Sequence, residues 1–493
     1  MMSPVPDPSP VGGRWPATLT VLMGTISVVL TATIVNVAVP GIMADFDMDQ
    51  LHAQWLSTGF LAAMTATMLA SARAVERLGQ QRTFRIALWL FVAASLLAAA
   101  SWNTPVMIAA RILQGAVAGI IQPLALVVIF QVFPDNERGR ALGLYGMGVV
   151  LAPAVGPAVG GWLMDVFSWR AVYLAALPFC AVGLWGARRT LGHHRAETVL
   201  PFDWCGIGLL AAGLALLLGG LAELGLAQAW IPPGWLIAGG LVLLAGFLIL
   251  QRRRVSPLVN LGVFRQPAFA LAFVLALVYG AGLFGSTYLL PLLVQGVQGL
   301  SATMTGLVLM PAGLALAMVF PVSGRLSDHW PAHRLIIAGL VLVALAFFAL
   351  ATTGPATGFV VLAAFILLGR IGLGLILPAL NLDALRGLPD GLMHQGSGVI
   401  NFARQLGGAF GVNLFALLLD WRVRQHLHAG GESSLALHNL YQPGAADPAG
   451  LQALTRGFAE TFMVLGSCFV LAVIPAVAMG VRHARVRANS SGL

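Results

Sequence analysis

Arg111 lies within the apolar run TPVMIAARILQGAVAGIIQPLALVVIFQV, and Gln114 and Gly115 follow it one turn later. An arginine inside a membrane-spanning run costs at least about 2.5–3.5 kcal/mol on insertion scales, so it needs a reason to be there. Two reasons fit: it holds backbone carbonyls, or it balances charge that moves during transport. Arg370 and Arg404 are the other arginines inside apolar runs. The carboxylates nearest such runs, Asp165, Glu223, Asp383, Asp420 and Glu460, stand at or near their ends. No HExxH pattern and no acid pair lies within a run, which argues against an intramembrane enzyme. His426 and His428 could be imagined as metal ligands, but the polar stretch around them reads as a solvated loop.

The elements that must position these residues follow from composition. The chain has 493 residues, 58% of them hydrophobic and 9% charged, with a mean hydropathy of +0.88. A soluble protein of this size would need far more charge to cover its surface. Apolar runs long enough to cross about 30 Å of hydrocarbon recur from end to end. The fold class expected is an all-α polytopic membrane protein with fourteen spans. The N-terminal run is long and lacks a small-residue cleavage site, so it reads as a first span rather than a signal peptide. Cys180, Cys205 and Cys468 form no disulfide framework or zinc spacing.

All 27 basic residues are arginine. Four of them, Arg170, Arg422, Arg424 and Arg456, fall in loops on one side, and three lie inside spans. The other twenty fall in the tails and the loops of the opposite side or at their edges. By the positive-inside rule that side, with both termini, is cytoplasmic. This distribution accounts for the net charge of +9 without nucleic acid as a partner.

The chain repeats itself. ARAVERLGQQR at 72–82 matches GRLSDHWPAHR at 324–334, and RILQG at 111–115 matches RIGLG at 370–374. The nearly equal offsets imply duplicated halves of six spans. The division expected is a tail at 1–16, a six-helix bundle at 17–190, and a linker with two extra spans at 191–266. A second bundle at 267–481 would include an outer loop at 421–456, and a tail would occupy 482–493. The architecture is six plus two plus six.

In the fifth span, LAPAVGPAVGGWL at 151–163 concentrates residues that weaken helices. Gly148, Ala152, Gly156 and Gly160 form a stripe almost without side chains, with Pro153, Pro157 and Gly161 beside it. Such a stripe lets two membrane helices approach backbone to backbone. GPAVGG resembles the antiporter motif of major facilitator drug exporters. TIVNVAVP at 33–40, RILQG, YLLPLLVQGVQGLSATMTGLVLMP at 288–311 and GSGVINFARQLGGAFG at 396–411 are likewise similar to motifs of the fourteen-helix drug/proton antiporters, the EmrB/QacA-like group.

The resemblance implies the major facilitator fold and export of lipophilic or amphipathic small molecules by alternating access. It implies the proton gradient as energy source, with no cofactor and no metal. The stripe would then pack the fifth helix against a helix of the other half. Glu76, Arg77 and Gly79 after the second helix, and Gly324, Arg325 and Asp328 after the tenth, would form cytoplasmic latches. Ala72 replaces the family's glycine in the first copy, and Glu76 its aspartate. Asn36 would face the cavity and Arg111 would take part in proton coupling. Where relatives carry a first-helix aspartate, this chain has Thr31, so coupling would fall to Glu223 or Asp165 or be weakened toward facilitated export. Trp55, Phe60, Met64 and Tyr288 are candidates for lining an apolar cavity. The bacterial inner membrane is the location expected. Some relatives pass cargo to a periplasmic adaptor and outer-membrane channel, which the sequence leaves open as partners. An uptake permease or a non-transporting sensor remain the other readings.

Overall fold

The computed structural model describes residues 13–48, 50–192, 203–224, 232–254, 257–300, 302–386, 388–429 and 448–490. Among them, all regular structure is helical. Helices α1 (Arg14–Asp45), α2 (Gln50–Leu78), α3 (Gln80–Ala99), α4 (Thr104–Val132) and α5 (Arg138–Val166) come first. The sixth span is broken into α6 (Trp169–Leu174) and α7 (Leu177–Thr190), where Pro178 enters the first turn of α7. The inserted spans are α8 (Trp204–Glu223) and α9 (Pro233–Arg253). Then follow α10 (Pro267–Leu292), extended by a π turn at Leu293–Val297, α11 (Ala302–His329), α12 (Ala332–Ala351) and α13 (Phe359–Arg386). The last two are α14 (Asp390–Ala429) and α15 (Pro448–Ser490).

Within hydrocarbon an α-helix satisfies every backbone group inside its own segment. Buried hydroxyls do the same locally: Thr25 and Thr31 donate to the carbonyls of Val21 and Ser27, each at 2.9 Å. The ends have clear chemical causes. Asn103 Oδ1 accepts from the Val106 amide at 3.0 Å and caps α4, and Ser168 caps α6. Gly79 takes φ 77° between α2 and α3, a conformation that favours glycine. Trp15, Trp102, Trp162, Trp204, Trp235 and Trp330 are exposed close to helix ends, as expected of an interfacial belt.

Three expectations about segment ends are corrected. The loop expected at 421–456 is helical at both flanks, because α14 runs on to Ala429 and α15 starts at Pro448. Ion pairs explain the extension: Asp420 with Arg424 at 2.9 Å, and Glu460 with Arg422 at 3.2 Å. His426 is therefore not in a solvated loop; its Nε2 lies 3.1 Å from Glu460 Oε1. The side chain of His428 lies outside the described residues. The tail expected at 482–493 is helical through Ser490, and in the tail expected at 1–16 the helix already starts at Arg14.

By contacts the chain divides into two units. One comprises residues up to Leu217, Ala238–Arg265 and Leu388–Phe402. In it α2 packs on α4, α1 on α5 and α7, and α3 on α4. The other comprises Leu218–Ile237, Gln266–Gly387 and Ala403 onward, with α12 on α13 and α15, and α11 on α13.

Candidate functional site

Arg111 is the most enclosed charge in the first unit, 1% exposed. Its neighbour Ala110 and its partner Leu56 belong to a buried apolar cluster with Val35, Ala38, Met107 and Trp169. Its Nε donates to the Leu56 carbonyl at 2.9 Å and its Nη1 to Gln114 Oε1 at 3.1 Å. Gln114 Nε2 in turn donates to Ser95 Oγ at 2.9 Å. The guanidinium lies 4.5 Å from the Phe60 ring centroid. Every partner is neutral. The arrangement holds a charge in place with fixed dipoles and offers it no carboxylate among the described residues.

Phe60 and Met64, read from sequence as cavity candidates, instead belong to the joint between α2 and α4. Both are buried, and a Cβ on Gly115 or Gly119 would come within 3.0 Å of the Phe60 or Met64 backbone oxygen. This close approach escaped sequence reasoning, although Gly115 and Gly119 share the four-residue spacing of the fifth-span stripe. Trp55 and Tyr288 are exposed.

The fifth-span stripe meets a different partner from the one the resemblance implied. A Cβ on Gly148 would lie 2.6 Å from Leu22 Cδ1, on Gly156 2.7 Å from Thr33 Oγ1, and on Gly160 2.7 Å from Ile34 Cγ1. All three partners are on α1 of the same half, so that face of α5 is already occupied within its own bundle. A Cβ on Gly161 would meet nothing within 4 Å. The side chains of Pro153 and Pro157 lie outside the described residues, but the backbone is helical through both. The second half repeats the device: Gly407 and Gly411 press on Leu277 and Ala281 of α10. Gly148 and Gly407 are 259 residues apart, the offset of the arginine motifs.

At the first latch, Glu76 pairs with Arg73 rather than with Arg77. Arg73 Nη1 lies 2.8 Å from Glu76 Oε2, and its Nη2 donates to the Pro257 carbonyl at 3.0 Å; Arg77 is exposed. Arg73 aligns with Arg325 in the repeat, the signal that could have found it. The segment it holds is anchored again by Gln251, whose Oε1 accepts from the Leu258 amide at 2.6 Å. Gln251 Nε2 donates to Asp203 Oδ2 at 2.9 Å. Further along, the Asn260 amide donates to Gln395 Oε1 at 3.2 Å, and Ser397 Oγ to the Pro123 carbonyl at 2.8 Å. In the second copy Gly324 is buried, Arg325 exposed and Asp328 half-buried.

Thr31 is buried, with its hydroxyl committed to the Ser27 carbonyl. The side chains of Asn36 and Asp165 lie outside the described residues. Glu223 ends α8, and its Oε2 is buried without a hydrogen-bond partner among the described residues. Where α1 ends, Asp45 accepts from Trp169 Nε1 at 2.7 Å and from Arg170 Nη1 at 2.9 Å. Those two bonds hold its carboxyl below the usual carboxylate range.

The sequence model of the Major Facilitator Superfamily matches residues 21–203 and 204–412. The chain is 28% identical to the multidrug resistance protein B homolog of Mycobacterium tuberculosis (strain ATCC 25618 / H37Rv), over 93% of this chain and 86% of that one. It is 26% identical to the tetracenomycin C resistance and export protein of Streptomyces glaucescens, over 89% of this chain and 84% of that one. Its fold is similar to that of the human organic anion transporter MFSD10, with a TM-score of 0.65 at 16% identity, covering 94% of this chain and 99% of that one.

Proposed function

The chain belongs to the major facilitator superfamily, and from that premise we propose that it exports lipophilic or amphipathic small molecules by alternating access. The observation that carries this reading is likeness over nearly the whole length to relatives named for multidrug resistance and for tetracenomycin C resistance and export. The arginine distribution supports both termini on the cytoplasmic side of a bacterial inner membrane, so that the segment around 430–447 is outside. Glu76 and Asp328 then lie at cytoplasmic helix ends, as latches require.

Proton antiport needs a group that changes charge as its exposure alternates. Thr31 has no titratable proton in any useful range, and the partners of Arg111 among the described residues are neutral. Glu223 supports a displaced coupling site, because its buried Oε2 lacks the bonds that would settle a carboxylate. Asp165 is the second acid for this role. The test is flux in proteoliposomes under an imposed pH gradient, with two lipophilic probes of opposite charge, ethidium and 1-pyrenesulfonate. Glu223→Gln is expected to remove most of the gradient's stimulation, Asp165→Asn to reduce it, and Thr31→Asp to increase it. Strong proton drive surviving both acid removals, without gain from Thr31→Asp, would show this coupling to be wrong. Wild-type flux indifferent to the gradient would favour an uncoupled facilitator, the reading that Thr31 itself supports.

Gly156→Leu and Gly160→Leu are expected to insert in the membrane and lose export. Each leucine would push against Thr33 or Ile34 of α1, an overpacking that costs about 1–3 kcal/mol. Comparing membrane yield with probe efflux checks this; near-normal efflux from both variants refutes it.

A further inference from the structure

Arg111 and Arg370 occupy matching positions in the duplicated motifs, but their surroundings have diverged. The residue three positions on is Gln114 in the first copy, where it accepts from Arg111, and Leu373 in the second. Leu373 is buried and offers no acceptor. Among the described residues no ion pair engages Arg370. Its one side-chain hydrogen bond there is from Nη2 to Thr287 Oγ1, at 3.1 Å. A guanidinium carries five donors in a planar fork, so most of its capacity is left for another acceptor.

The depth of this pair says what surrounds it. Arg370 is about 17 Å along α13 and Thr287 about 30 Å along α10, at 1.5 Å per residue, so both are well inside their spans. Thr287 and its neighbour Tyr288 are exposed, and Arg370 is partly so. A charge at that depth is tolerated only toward protein or a water-filled path, not toward lipid. Arg370 also lines, with Ser286, Leu290, Phe347 and Ile366, a small cavity of about 10 Å³, the space of one water molecule. Thr287, the partner of the fork, is exposed, so cargo can reach the pair from that side. Tyr279, on the same helix and in coulombic range of Arg404 and Arg370, has a buried hydroxyl without a hydrogen-bond partner among the described residues.

We propose that Arg370, with Thr287 beside it, is the anion-recognition point of the transport path. The preferred cargo is then an amphipathic organic anion, with a sulfonate or carboxylate on an apolar body. The planar fork matches the paired oxygens of such a group, and its charge repels cations. This specificity rests on the export reading and narrows it.

Three probes of one shape separate charge from hydrophobicity: 1-pyrenesulfonate, 1-pyrenemethanol and 1-pyrenemethylammonium. Their binding to the purified full chain is measured by equilibrium dialysis, and their flux in proteoliposomes. The wild type is expected to bind the sulfonate at least about tenfold more tightly than the ammonium. Arg370→Gln is expected to weaken sulfonate binding about 10- to 100-fold and leave the neutral probe unchanged. Arg370→Lys keeps the charge but not the fork and should fall between them. The proposal is overturned if the wild type binds the ammonium as well as the sulfonate, or binds no probe. It is also overturned if Arg370→Gln weakens all three alike. Should Arg370→Gln not fold, Arg370→Lys and Thr287→Val decide by the same comparison. Selective binding without flux would count against export and leave the recognition point standing.

Discussion

Gly115→Ala is expected to lower the melting temperature of the purified chain sharply, or to prevent its accumulation, whereas Gly161→Ala leaves it unchanged or raises it. Both replace a glycine within a helix by alanine, which on propensity alone gains about 1 kcal/mol. The surroundings reverse the sign at one site only. At Gly115 the new methyl would come within 3.0 Å of the carbonyl oxygen, carbonyl carbon and Cα of Phe60. These are main-chain atoms that no rotamer change can move, so α2 and α4 must separate. The usual overpacking cost of about 1–3 kcal/mol is therefore a lower bound. Separation would also lift the Phe60 ring from Arg111 and stretch the bond to the Leu56 carbonyl. At Gly161 nothing lies within 4 Å, and the propensity gain stands alone. Tryptophan fluorescence on heating in detergent measures both variants. A Gly115→Ala chain as stable as the wild type would refute the tight joint between α2 and α4.

That joint shows where sequence reasoning reached and where it stopped. Hydropathy fixes which segments span, because the bilayer permits one backbone solution to an apolar run of sufficient length. Thirteen helices among the described residues are long and apolar enough to span, the inserted α8 and α9 among them, and these were therefore legible. Hydropathy says little about where a helix continues into water. The run WRVRQHLHA after Asp420 is polar yet helical, since its charges find partners at Asp420 and Glu460. The stripe of Gly148, Gly156 and Gly160 was legible as a place of close approach, but its partner was not. Side-chain-free positions state that something comes near and carry no information on what; only the fold brings Leu22, Thr33 and Ile34 there. Arg73 illustrates a subtler limit. Its two bonds, to Glu76 and to the Pro257 carbonyl, span the end of α2 and the segment after α9. A backbone acceptor 184 residues away has no residue type to betray it.

Arg111→Leu is expected to destabilise the chain by about 1–3 kcal/mol or more, while Arg111→Leu combined with Gln114→Leu costs less than the single change. The single change leaves Gln114 Oε1 buried without its donor, and an unmet buried acceptor carries its full desolvation penalty. Removing both partners leaves no such orphan, and replacing a buried polar pair by apolar groups is often nearly neutral. The residual cost of the double variant comes from Ser95 Oγ, which loses the donor it had in Gln114, and from the Leu56 carbonyl and Phe60 ring, which lose the guanidinium. A double-mutant cycle on melting midpoints in denaturant or heat isolates the coupling between the two side chains. Flux under a pH gradient, measured on the stable double variant, then separates two roles that stability alone confounds. A guanidinium enclosed by Leu56, Gln114 and Phe60, with no carboxylate partner among the described residues, argues for a scaffold that fixes α4 against α2. The double variant should therefore retain most of its gradient-driven flux. Normal folding with abolished proton drive would assign Arg111 to the coupling machinery instead, acting through its charge rather than its bonds.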